Sequence, residues 1–204
     1  RSLKIKDKIS KIFPSCMRIA IDIRSLQGGQ KTGVGEYTAE LLSALFALDS
    51  SHEYILFSNS FSKKKISNIF DVHKKNVQFV HTRYPNKLFT LLTSFHILEL
   101  DTLIEKKIQK KLDLFFSPCL QTGFVSKNTP WIMTIHDLSF ELYRDCLNFK
   151  RKIWHFLVQP KKQVQQAKMV ITPSLSAARD VGMQYEVEKH KIQTIYTGLK
   201  KLSI

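Results

Sequence analysis

MRIAIDIRSLQGGQKTGVGEYTAELLSAL, Met17 to Leu45, decides the fold. Arg18 to Arg24 reads as a first strand. Its Ile19, Ala20, Ile21 and Ile23 form a nearly continuous apolar run, as expected of a strand buried on both faces. A glycine-rich loop follows, with Gly28, Gly29, Gly33 and Gly35, and then Tyr37 to Leu48 places Leu41, Leu42, Leu45 and Leu48 at helical spacing. A strand, a glycine-rich turn and a helix together form an anion-binding device, because backbone N–H groups and the helix dipole converge on one point.

Further along, short apolar runs alternate with longer stretches of helical period, which predicts a mostly parallel sheet wrapped by helices. Tyr54 to Phe57, Val77 to Val80, Leu112 to Phe116, Trp131 to Ile135 and Met169 to Thr172 are the next strands, and KIQTIY from Lys191 starts another. Lys87 to Lys111 reads as one long amphipathic stretch, with Leu88, Leu91, Leu92, Phe95 and Leu98 along its stripe. A basic helix is expected around Phe149 to Ala167, disturbed at Pro160. The fold class is therefore α/β, a doubly wound and mostly parallel sheet of Rossmann-like type.

Composition sets further bounds. Of 204 residues, 43% are hydrophobic and 24% charged, as in ordinary globular proteins. No apolar run approaches the ~18 residues of a membrane span, and RSLKIKDKISKIFPSCM has no apolar core of the secretory kind. The sequence thus reads as cytoplasmic. Cys16, Cys119 and Cys146 are odd in number and far apart, as free thiols are. Thirty-two Lys and Arg against 17 Asp and Glu give a net charge of +15. That excess either attracts polyanions or coats a solvated surface. No nucleic acid is expected as partner, since the basic residues are scattered and no RNP, zinc-finger or homeodomain pattern occurs.

Two common anion loops fail on the residues. The dinucleotide fingerprint asks for Gly or Ala three places after Gly35, where Thr38 stands, and no acidic residue follows the second strand near Ser58. A Walker loop would close on Gly-Lys-Ser/Thr, whereas here the close is Gly33-Val34-Gly35. Met17 to Leu45 instead resembles the opening of the retaining GT-B glycosyltransferases of family 4. TIHDLSF around His136 and Asp137, and QAKMVITPSLSAARDVGMQYEVEKHKIQTIYTGL from Gln166 to Leu199, are similar to two later segments of that family.

The resemblance implies the N-terminal Rossmann-like half of a GT-B fold over residues 17–190. Residues 1–16 would be a basic extension, either disordered or on a membrane surface, and 191–204 the start of a truncated C-terminal domain. It implies a hexosyltransferase that moves a sugar from a nucleotide-sugar donor to a glycan or lipid-linked acceptor, with retention, in polysaccharide biosynthesis. His136 would contact the donor sugar or stabilise transferring charge, and Asp137 would orient groups around the acceptor. Gly28, Gly29, Gly33, Val34, Gly35, Arg144 and Ser174 would line the donor and acceptor sites, although Ser174 also suits a helix cap. Thr197-Gly198 departs from the family's pair at that point.

No cofactor beyond the nucleotide sugar, and no metal, is implied. An anionic membrane surface is a further expected partner, placing the protein peripherally at the inner membrane face. The chain ends where the donor-holding domain is expected to begin, so this fragment is expected to be inactive alone. The rival reading is a non-catalytic basic α/β module that binds membranes or anionic ligands.

Overall fold

The computed structural model describes residues 16–27, 32–61 and 75–198. Seven strands form one parallel sheet: β1 (Arg18–Asp22), β2 (Glu53–Asn59), β3 (Val77–Thr82), β4 (Leu114–Ser117), β5 (Trp131–Thr134), β6 (Met169–Thr172) and β7 (Ile192–Thr194). Their order across the sheet is β3-β2-β1-β4-β5-β6-β7, and every pair is parallel. The winding reverses between β1 and β4. Open parallel sheets bind their ligands at such a reversal, beyond the carboxyl ends of the strands.

The helices are α1 (Gly33–Leu48), α2 (Asn86–Ser94), α3 (Leu100–Ile108), α4 (Ser139–Leu142), α5 (Phe149–Val158), α6 (Pro160–Gln166) and α7 (Leu175–Tyr185). Strand alternation divides the core between the two faces of the sheet. Ile21 of β1 and Tyr54 and Leu56 of β2 pack with Leu42 and Phe46 of α1. Their chain neighbours Ala20, Ile55 and Phe57 pack on the other face with Phe89 of α2 and Leu100 and Ile104 of α3. Coverage of both faces is why β1 and β2 read as unbroken apolar runs.

Two elements differ from the sequence reading. The long stretch Lys87 to Lys111 is two helices, broken where His96 takes φ 58°. The stripe of Leu88, Leu91 and Phe95 faces solvent, and α2 buries Phe89, Thr93 and Ser94 instead. Apolar spacing predicted an amphipathic helix but not which of its two apolar edges meets the sheet. The first helix begins at Gly33, not Tyr37, because the Thr32 side chain accepts a hydrogen bond from the Gly35 amide and caps the turn.

The break at Pro160 is where the sequence placed it. Gln159 takes φ 51° between α5 and α6, with Pro160 at the first position of α6. Ile192–Thr194, within the stretch from Lys191 assigned to a further unit, pairs with β6 of this sheet.

Gly123 fixes the segment after β4. Its φ of +118° suits glycine alone, and an added Cβ would lie 3.1–3.3 Å from Leu100 and Thr93 side-chain atoms. Gly123→Ala is expected to cost about 2 kcal/mol, from backbone strain and overpacking combined. Urea unfolding measures this, and a loss near zero would contradict the packing described.

Candidate functional site

Three segments meet at the winding reversal. β1 ends at Asp22, a carboxylate within an apolar strand. Burial of a lone charge is costly, and here Arg24 supplies the partner. Its Nη2 donates to Asp22 Oδ2 at 2.6 Å and its Nε to Oδ1 at 2.9 Å, with the two side chains 8% and 1% exposed. The same guanidinium donates to the Thr122 carbonyl at 2.8 Å and lies over the Phe57 and Phe89 rings. Arg24 thus ties the end of β1 to the segment after β4.

His136 grips that segment from the other side. It follows β5, and its Nε2 lies 3.0 Å from the Pro118 carbonyl oxygen. A carbonyl only accepts, so Nε2 carries the proton. The imidazole also meets the Tyr37 ring of α1 edge-on, with centroids 4.7 Å apart. Burial holds the His136 pKa below the ordinary 6.5, opposed by the Pro118 hydrogen bond and the Asp137 charge. The ring is therefore neutral at pH 7 and presents Nδ1 as an acceptor. Cys119, next to Pro118, is no nucleophile: burial pushes its thiol up to about 11.

The remaining predicted residues are spread along the same edge. Asp137 is exposed, and its Oδ1 accepts from the Ser139 amide and hydroxyl, which shapes the turn into α4. Ser174 sits one strand along, where its hydroxyl accepts from the Ala177 amide and caps α7. Arg144 opens the short turn Arg144–Cys146. Gly33, Val34 and Gly35 form the first turn of α1 rather than a loop, and Gly35 packs against Thr32 and the Ser25 carbonyl. In that first turn the amides of Gly33 and Val34 have no acceptor within the helix. Gly28 and Gly29 lie outside the described residues.

A cavity of about 640 Å³ opens beside α1, between Gly33, Glu36, Tyr37 and Glu40 on one side and Ile195, Tyr196 and Thr197 on the other. Its size suits a small ligand. No Lys or Arg is among the described lining residues. A larger cavity of about 800 Å³ lies between α4, α5 and α6; His136, Asp137 and Ser174 are in the described lining of neither cavity, and Tyr37 of the smaller one meets the His136 ring.

The sequence pattern of Glycosyltransferase Family 4 matches residues 31–200. The chain belongs to that family. No curated protein matches it in sequence. Among solved structures, Phytolacca americana UGT2, complexed with UDP-2fluoro-glucose and pterostilbene, has a TM-score of 0.53 at 7% identity, covering 92% of this chain and 54% of its own. The wall teichoic acid polymerase TagF follows with a TM-score of 0.49, 12% identity and coverages of 95% and 41%. A glycosyltransferase from Rickettsia africae ESF-5 has a TM-score of 0.44, 16% identity and coverages of 90% and 43%. The chain spans about half the length of these structures. The UGT2 likeness speaks for the fold alone, the Rossmann-like α/β fold of GT-B glycosyltransferases.

Within this family 4 domain, sequence reasoning missed Asp22, Arg24 and Tyr37. The first two carried a signal, since a carboxylate inside an apolar strand requires a partner and Arg24 is two residues away. Tyr37 carried none, because its meeting with His136 depends on how α1 packs.

Two outcomes follow from this geometry. Asp22→Ala strands a buried guanidinium and is expected to cost about 3–5 kcal/mol, read by chemical denaturation, whereas an apolar replacement of both partners should cost less. Below pH 6.5, and down to the lowered value of His136, the unfolded chain binds more protons than the native one. The His136 contribution to stability is therefore complete above 6.5 and is lost as pH falls. The melting-temperature gap between wild type and His136→Gln should narrow from about pH 7 to about pH 5; a widening gap would show that the native ring prefers the charged form.

Proposed function

We propose that this chain is the acceptor-side domain of a glycosyltransferase that moves a sugar from a nucleotide-sugar donor to a glycan or lipid-linked acceptor, with retention at the anomeric carbon. The observation that carries the reading is the placement of a neutral His136 at the carboxyl end of β5, between Tyr37 and the Pro118 carbonyl. Family 4 membership supports the reaction class. UGT2, whose fold is similar, was solved with UDP-2fluoro-glucose, which supports a nucleotide sugar as donor.

The cavity beside α1 supports the acceptor-side assignment. Tyr37 and Tyr196 line it beside Glu36 and Glu40, polar groups that suit a hydroxyl-rich acceptor. A diphosphate needs donors: the first-turn amides of α1 supply some, and a second domain would supply the rest. His136 then acts as a hydrogen-bond acceptor toward a sugar hydroxyl through Nδ1, which orients the sugar for transfer. Asp137, at the exposed lip, orients the acceptor, while stabilisation of the departing diphosphate falls to groups outside this domain.

In the transferase that carries this domain, His136→Ala is expected to lower kcat/KM about a hundredfold, with the fold intact by circular dichroism. Radiolabelled sugar transfer measures it. An unchanged kcat/KM would remove His136 from the site, and no transfer by the wild-type enzyme with any nucleotide sugar would favour the binding-module reading.

A further inference from the structure

Helices α2 and α5 are neighbours whose outer surfaces are apolar. The Gln159 side chain, just past α5, donates to the Ser94 carbonyl at the end of α2 at 2.8 Å. On α2, Leu88 and Leu91 face solvent, continued by Phe95. On α5, Phe149, Ile153 and Phe156 form a stripe at i, i+4 and i+7, with Phe149 76% and Phe156 71% exposed. Val158 is the buried residue of α5. An apolar surface spread over two adjacent helices is uncommon on a free monomer and marks a contact surface.

Charge identifies the contact. The sequence has no Asp or Glu from Val72 to Leu98 or from Cys146 to Arg179, the two stretches that contain these helices. Exposed Lys87 lies on α2 and Arg83 just before it, and Lys150, Arg151 and Lys152 lie on α5. The nearest acidic residues before α5 are Glu141, which accepts from the Tyr185 hydroxyl, and the exposed Asp145. Half-exposed Trp154 adds an aromatic ring of the kind that settles at the headgroup level. Apolar stripes combined with an acid-free run of cations describe a surface that lies on an anionic bilayer, with side chains in the acyl boundary and cations at the headgroups.

We propose that the face formed by α2 and α5 docks the protein on anionic lipid bilayers. The inference does not rest on the transfer reading, because vesicle binding and sugar transfer are measured separately.

Flotation with phosphatidylcholine vesicles, with and without phosphatidylglycerol, tests the proposal on the whole chain. Binding is expected with phosphatidylglycerol at low salt, weakening as salt rises. Trp131 is buried, so quenching by bromolipid reports Trp154. The triple substitution Lys150→Glu, Arg151→Glu and Lys152→Glu is expected to weaken partitioning about a hundredfold, and Phe149→Ser with Phe156→Ser about tenfold. Full binding by both variants would overturn the proposal, as would loss of binding only on removal of residues 1–16. Vesicle-bound wild type without bromolipid quenching would overturn it even if the variants failed to fold. A dimer that these substitutions dissolve, with no vesicle binding, would give the face to a second copy instead.

Discussion

The buried pair of Asp22 and Arg24 is the constraint on which the site depends. A carboxylate at the end of a central strand would be excluded from so apolar a setting without a cation held against both its oxygens. Arg24 meets that need and does more. Its guanidinium reaches the Thr122 carbonyl and lies over the Phe57 and Phe89 rings, so β1, β2, α2 and the segment after β4 share one charged group. That segment carries Pro118, and Pro118 in turn fixes the tautomer of His136. The ion pair and the imidazole therefore act in series, although no contact joins them directly.

Neutrality of His136 has a chemical consequence. An imidazolium at this edge would attract phosphate. A neutral ring with its Nε2 proton committed to a carbonyl offers only a lone pair, which suits a hydroxyl. The cavity beside α1 is lined by Glu36 and Glu40 beside Tyr37 and Tyr196, and Tyr37 meets the His136 ring.

Strands were legible in the sequence wherever burial on both faces made the apolar run continuous, as in Ile19 to Ile23 and Tyr54 to Phe57. The turn at Pro160 was legible because a proline ring cannot continue a helix interior. Asp22 was lost inside its apolar neighbours, although its charge was the informative feature of that strand. The glycines at 33 and 35 suggested a loop, while Thr32, the residue able to cap, decided where α1 begins. Leu88, Leu91 and Phe95 misled for a related reason: apolar spacing shows that a helix has a sticky edge, but only tertiary packing shows whether the sheet covers it. The position of His136 at a strand end was legible, and its contacts with Tyr37 and Pro118 were not, since both come from elements distant in sequence.

The net charge of the chain does not describe the cavity beside α1. A net +15 either attracts polyanions or coats a solvated surface, and the described lining of the cavity beside α1 holds no Lys or Arg. Lys87 of α2 and Lys150, Arg151 and Lys152 of α5 are exposed, in stretches without acids. Local arrangement thus reverses what the total implies. Fields from exposed charges fade over about 8–10 Å at physiological salt, so each surface is read by the ligand that touches it. The same chain can then present a neutral imidazole at the sheet edge and cations on its helical face. Those two demands conflict only in the net charge, not at either surface.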